Sequence, residues 1–233
     1  MTSEVPSETT MDARPRVFLQ PIAAPSILGL YALAGATFIV AAQMAHWFGR
    51  SDTTTLLLIP FATIFGGLAQ FLAGMWAFKA RDGVATAVHG MWGSFWMAFG
   101  ILALLLANGK APVPAGPLFP ELGYWFVVLA AITWICTAAS AAENKSMMTT
   151  LTFLAAGSTL TAIALLAGIE GMMILSGYLF IISAIAAWYT ASALMLNEAF
   201  GHEVFRLGRS AQARNMPAIT IGAGEPGVIR GQA

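Results

Sequence analysis

Apolar residues run in six long blocks along the chain, broken by short polar interruptions. The blocks lie near 27–48, 56–78, 84–107, 121–143, 147–168 and 172–197. The breaks fall at Gly49–Thr55, Lys79–Gly83, Asn108–Pro120, Asn144–Ser146 and Gly168–Gly171. Crossing a hydrocarbon core of roughly 30 Å takes about 20 mostly apolar residues in a helix, and each block meets that length. A helix also satisfies its own backbone hydrogen bonds where no water is present. Short connections between helices join antiparallel neighbours. The pattern predicts an all-α membrane protein, with six transmembrane helices in an antiparallel bundle. It divides the chain into an N-terminal tail (1–20), a membrane domain (21–207) and a flexible C-terminal tail (208–233). The break before the fourth block holds Pro112, Pro114, Pro117 and Pro120. Proline has no amide to donate, so this segment is expected to be a stiff external cap and not a helix.

Composition strengthens the membrane reading. The chain is 58% hydrophobic and 9% charged, against about 25% charged in soluble domains. Lys+Arg and Asp+Glu balance at 11 each, so there is no basic surplus to attract nucleic acid. The distribution of positive charge sets orientation. Arg14, Arg16, Lys79, Arg81, Lys145, Arg206, Arg209, Arg214 and Arg230 fall on one side, and only Arg50 and Lys110 on the other. Basic residues gather on the cytoplasmic side, so both termini are expected there, in a multi-pass protein of the inner (plasma) membrane. Met1–Arg16 is polar and lacks the apolar core of a signal peptide. Trp47, Trp76, Tyr124 and Trp125 stand at span ends, where aromatic rings anchor at the lipid–water boundary.

The spans offer little ionisable chemistry. No Lys, Arg, Asp or Glu falls in the middle of a block. Pumps and voltage sensors place such groups at membrane depth. What remains is a set of weakly polar stripes. Thr133, Thr137 and Ser140 share one helix face, as do Thr150, Leu154, Ser158 and Thr161, and Ser183, Ala187 and Thr190. Thr63 and Gln70 are seven apart, and His89, Trp92 and Trp96 follow one another in the third block. Such stripes either line a narrow path for a small polar solute or bond back to their own helices. Gly67/Gly74 and Gly93/Gly100 each form a face that lets backbones approach closely, in a compact bundle or a tight oligomer. His46 and His89 stand near opposite span ends. Neither span has a second histidine at depth to complete a haem site. Cys136 has no cysteine partner and reads as packing. No cofactor, metal site or catalytic constellation is expected.

Several runs are similar to one family. Phe65-Gly-Gly-Leu-Ala-Gln-Phe-Leu-Ala-Gly74, then Lys79 and Arg81, then Thr86-Ala87 and Trp92-Gly-Ser-Phe-Trp96 resemble the acetate uptake transporters, which include the bacterial succinate–acetate permeases. Leu28-Gly-Leu30 and Leu196-Asn-Glu-Ala-Phe-Gly201 extend the resemblance over roughly 21–208. It implies a hexamer in which each six-helix protomer carries its own pathway, narrowed by a phenylalanine, a tyrosine and a leucine. On this chain those positions fall on Leu33, Trp92 and Leu154, with Ala187 beside the path. The family's first-span signature, Asn-Pro-Ala-Pro, is replaced by Ala23-Ala-Pro-Ser-Ile27. Trp92 brings a larger ring with one N–H donor where the family has a hydroxyl.

The resemblance implies passage of acetate and related small carboxylates, succinate among them, through a channel or proton symporter. A bare anion is costly in a dry constriction. Acetate ionises near the carboxyl side chains, at about pH 4. The expected traffic is therefore the protonated acid, or anion with a coupled proton. Gln70, Thr137, Ser158, Thr161, Ser183 and Thr190 would line the path, and the start of the first span at Pro25, Leu28 and Gly29 would offer backbone N–H groups to an anion. The uncharged lining equally suits a pore for small neutral solutes. A membrane-anchor subunit of a redox complex is the reading from another class.

Overall fold

The computed structural model describes residues 23–49, 54–110 and 120–210. The tail 1–20, Arg14, Arg16, Arg50, residues 111–119 of the expected proline cap and the tail residues from 211, with Arg214 and Arg230, lie outside the described residues. Pro120, expected in the cap, instead begins a helix, where its missing amide is tolerated.

The described residues form six helical spans. The first is α1 (Pro25–Met44). The second joins α2 (Thr54–Phe61), a π-helical stretch (Ala62–Ala69) and α3 (Gln70–Ala80). The others are α4 (Gly83–Ala107), α5 (Pro120–Ser140), α6 (Lys145–Ala167) and α7 (Glu170–Phe200). Each is long and apolar enough to cross a membrane, with mean hydropathy of 1.7 to 1.9. The last runs several residues beyond the predicted 172–197 at its C-terminal end.

Local chemistry sets the ends. Pro25 sits in the first turn of α1, where a missing amide costs nothing. Asp82 caps α4 by accepting from the Ala85 amide at 2.8 Å, and Asn144 caps α6 by accepting from Met147 at 2.8 Å. Gly168 and Gly201 end α6 and α7 in the left-handed conformation. The π-helical stretch begins two residues after Pro60. Proline inside a helix removes a hydrogen bond and crowds the preceding turn. A wider turn is one way to absorb that. Nothing in the apolar pattern of this block signals the change in register.

The molecule is apolar outside as well as inside. Leu57, Phe61, Ile64, Phe78, Ile101, Ile135 and Trp188 point outward from the spans. The interior is built from alanine, glycine, serine and threonine with a few large side chains. Small residues suit a bundle whose helices associate by close packing instead of by escape from water. The glycine faces of the second and third spans meet each other. A β-carbon on Gly74 would lie 2.6 Å from the Gly90 amide nitrogen, and one on Gly93 the same distance from that of Phe71.

The starts of α1, α4 and α6 share one face of the bundle, the N face, with the ends of α3, α5 and α7. On it the residues after α7 fold back. Asn197 accepts from the amides of Val204 and Phe205 and donates to the Phe205 carbonyl. Tyr189 donates to the Arg206 carbonyl, and Lys145 and Ser146 donate from their amides to Gly208 and Leu207. The Ser210 hydroxyl donates to the Ala142 carbonyl. Asn197→Ala is expected to free this segment. A hydrogen bond contributes about 1 kcal/mol net, a factor of about five in population. Limited trypsin should then cut at Arg206 and Arg209 at least ~5-fold faster. Unchanged cleavage would mean that Asn197 does not hold the segment.

Candidate functional site

Aromatic side chains from α4 define the site. Trp92, Phe95, Trp96 and Phe99 recur at helical spacing and so share one face of α4. Phe95 packs edge-on against Trp92, Trp96 and Phe126, with centroids 5.1 to 5.5 Å apart. Phe180 from α7 meets Trp92 edge-on at 6.4 Å. These rings line a cavity of about 620 Å³. Its wall continues along Thr37, Ala41 and Met44 to His46 and Gly49, beyond the end of α1. The cavity thus occupies the half of the bundle opposite the N face. His46 stands toward its mouth in the left-handed conformation, with φ of 59°.

Trp92 closes the inner end. It is 2% exposed, and its indole N–H donates to the Thr133 hydroxyl at 3.2 Å. Thr133 in turn donates to the Leu129 carbonyl at 2.6 Å, so its one oxygen is held from both sides. This fixes the plane of the ring. Leu33, Leu154 and Ala187, the other expected constriction positions, are fully buried and belong to the same core cluster as Trp92. None of the three lines the cavity.

The expected pathway-lining residues divide. Thr161 lines the cavity and donates to Ser176 at 3.0 Å. Thr137 and Ser158 bond back to carbonyls of Thr133 and Leu154 on their own helices. Ser183 donates across to the Thr150 carbonyl, and Thr190 donates to Ala186 while lying 2.6 Å from the Ser146 hydroxyl. These hydroxyls bond within or between helices. Gln70 differs, since it is fully buried and neither amide atom has a partner. At the start of α1 the Leu28 side chain turns outward, 45% exposed. Gly29 is buried against the His89 ring, whose atoms lie 2.5–2.6 Å from where a β-carbon would stand.

Phe99, Phe126 and Phe180 carry no distinguishing signal of their own in the sequence, because phenylalanine is commonplace in a membrane span, and Phe95 stands there only as part of the Trp92–Trp96 run. The repeat Trp92, Phe95, Trp96, Phe99 was the signal available.

A carboxyl on the N face, outside the spans, is perturbed. Glu143, between α5 and α6, is pushed up to about 7, first by burial and then by the charge of Asp82. A carboxyl raised in the folded state supports stability below its unfolded value. That support is lost as pH rises through the folded value. Thermal stability of the native chain should therefore fall between about pH 4.5 and about pH 7. Glu143→Gln should flatten that fall and melt higher than the native chain above neutrality. Parallel melting curves for both chains across this window would contradict the assignment.

Residues 9–207 match the model of the GPR1/FUN34/yaaH family. The chain belongs to this family. One relative is the succinate-acetate/proton symporter SatP of Escherichia coli (strain K12), 27% identical over 190 residues, covering 81% of this chain and 97% of the relative. Another is the ammonia transport outward protein 2 of Saccharomyces cerevisiae, 29% identical over 177 residues, covering 72% of this chain and 60% of the relative. Among solved structures, that of the bacterial acetate channel SatP superposes with a TM-score of 0.74 at 22% identity, covering 81% of this chain and all of that one. That likeness shows that the six spans described above share the fold of that structure.

Proposed function

We propose that this protein carries acetate and related small monocarboxylates across the inner membrane, along a pathway inside each protomer. Succinate is a further candidate cargo. The N face is cytoplasmic in this reading, with both termini on that side, and the protomers assemble as a hexamer. The carrying observation is the 620 Å³ cavity, which enters from the opposite face and stops at Trp92. A chamber of that size holds a small solute with water around it, and its closure at a buried aromatic puts size selection at Trp92. The relative named as a succinate-acetate/proton symporter, aligned over 97% of its length, supports the cargo.

The constriction is Leu33, Trp92 and Leu154, with Ala187 beside it. These four side chains offer one polar atom, the Trp92 N–H, and Thr133 already accepts from it. Among the described residues no Lys, Arg, Asp or Glu stands within a span away from its ends. Ionised acetate would meet no counter-charge there, and its desolvation is costly. The neutral acid loses far less on entry, so the cargo crosses the ring protonated. Gln70 and Thr161 are the pathway residues that remain to guide it, with the first turn of α1 at Pro25, Leu28 and Gly29.

Competition tests the cargo. Uptake of labelled acetate into proteoliposomes should be inhibited by unlabelled propionate and unaffected by urea at the same concentration. Inhibition by urea, with propionate inert, would instead fit a pore for small neutral solutes.

A further inference from the structure

Three buried polar side chains lie between the level of Trp92 and the N face, and none has a partner. They are Ser26 on α1, Gln70 on α3 and His89 on α4. Both ring nitrogens of His89 and both amide atoms of Gln70 are unbonded. Leaving such a group unsatisfied in a dry interior costs about 1–3 kcal/mol, and membrane bundles have no water nearby to relieve it. Buried polar groups kept at that cost are candidates for a functional role.

The three flank His89 along the bundle, with Ser26 about a turn nearer the N face and Gln70 about a turn nearer Trp92, since Gly93 abuts Phe71. His89 lies one turn from Trp92 on the same face of α4. Its ring covers the bare face of Gly29, and Ser26 is one turn before Gly29 on α1. Gly74 on α3 abuts the His89–Gly90 peptide, and Gln70 is one turn before Gly74. Each neighbour of α4 thus brings one unpartnered polar group within about a helical turn of His89. The aromatic cavity ends at Trp92 and does not include any of them.

We propose that Ser26, Gln70 and His89 form a second subsite, running from the level of Trp92 toward the N face, that receives the carboxyl group and takes its proton on His89. This rests on the function proposed above. A carboxylic acid presents one O–H donor and two acceptor oxygens. Gln70 supplies a donor and an acceptor, Ser26 a hydroxyl, and the neutral imidazole an acceptor nitrogen and a donor N–H. The acid's O–H bond breaks as an N–H bond forms on the ring, leaving carboxylate beside imidazolium. The carboxylate departs toward the N face, and the imidazolium then loses its proton to water there. No oxidant or further reactant is needed.

With no fixed charge nearby among the described residues, carboxylate and imidazolium are each other's counter-ion during that step. The elements packed on α4 bring no charged side chain to the level of His89 among the described residues. α1 carries none, and its Tyr31 bonds to Ser192 on α7. The second span carries Lys79 at its end, followed by Arg81. Asp82 caps α4 two turns before His89. On α5 the titratable groups are Glu121 and Tyr124 near its far end and the buried Cys136. Glu143, Lys145 and Arg209 stand on the N face. The proton on His89 is therefore exchanged with that face and not with a fixed counter-ion.

The experiment compares the native chain with His89→Gln and Ser26→Ala in oriented proteoliposomes holding a pH dye. Labelled acetate uptake and acidification of the N-face compartment are read at fixed external pH and varied N-face pH. Native uptake should depend on N-face pH. His89→Gln should slow uptake by about a hundredfold and abolish that dependence, at the low end of the ~10²–10⁴-fold that positioned proton-transfer groups contribute. Ser26→Ala should slow uptake and keep the dependence. A His89→Gln chain with the native rate and profile overturns the proposal. A second readout covers a variant that fails to fold, or a native chain that moves no acetate. In nitrogen-labelled native protein in nanodiscs, His89 signals are assigned by elimination with His46→Gln and His202→Gln. Acetate should shift the His89 signals. If high acetate leaves them unmoved, the subsite does not exist. No uptake with a clear shift sinks the transport reading alone.

Discussion

Replacing Trp92 with alanine is expected to raise the rate of acetate uptake by about tenfold, equivalent to about 1.4 kcal/mol from the barrier. It should also admit bulkier monocarboxylates such as butyrate. The indole closes the inner end of the aromatic cavity, and nothing else on α4 fills its place. Its removal joins the cavity to the buried polar groups around His89. The cost appears in stability. A large buried aromatic truncated to alanine typically loses about 3–5 kcal/mol, depending on how far the site collapses. The variant should therefore melt lower while conducting faster. Thr133→Val separates the two roles of the ring. It removes the acceptor for the indole N–H and keeps the volume, so uptake should change little. A folded Trp92→Ala chain with slower uptake would show that the ring guides cargo and does not block it.

Gly93→Val should abolish the folded protein. A β-carbon there would stand 2.6 Å from the amide nitrogen of Phe71 and 2.8 Å from its α-carbon. Those are backbone atoms of a neighbouring helix, so the clash is relieved only by parting α3 from α4. Close packing across that face is what holds two apolar helices together in lipid, and parting them forfeits it. Gly90 is the control on the same helix. A β-carbon there meets nothing within 4 Å. Gly90→Ala should fold normally and gain about 0.5–1 kcal/mol from helix propensity. Size-exclusion profiles and melting curves in one detergent read both. A monodisperse Gly93→Val chain would mean that the close approach is not required.

The spans were legible because lipid imposes a blunt rule on composition and length. Lys79, Arg81, Lys145, Arg206 and Arg209, grouped in the sequence by charge alone, do lie at one end of the bundle. The glycine pairs were legible as close-packing faces, though only the structure shows that they face each other inside one chain. The hydroxyl stripes were less informative. A threonine at helical spacing is equally able to line a path or to bond the carbonyl four residues back, and Thr137, Ser158 and Thr190 do the latter. No periodicity distinguishes those outcomes, because both need the same inward face. Gln70 and His89 are the reverse case. What sets them apart is partners that are missing, which only three-dimensional packing reveals. The π-helical turn after Pro60 was hidden because its residues are as apolar as those of an α-helix.

The most direct test is the initial rate of labelled acetate uptake into proteoliposomes at fixed total acetate, with external pH varied from about 5 to about 8. Empty liposomes give the rate at which the acid crosses lipid unaided. Passage of the protonated acid through the Trp92 constriction predicts a protein-dependent excess that falls as external pH rises. An excess that grows with pH, or none at any pH from folded protein, would contradict it.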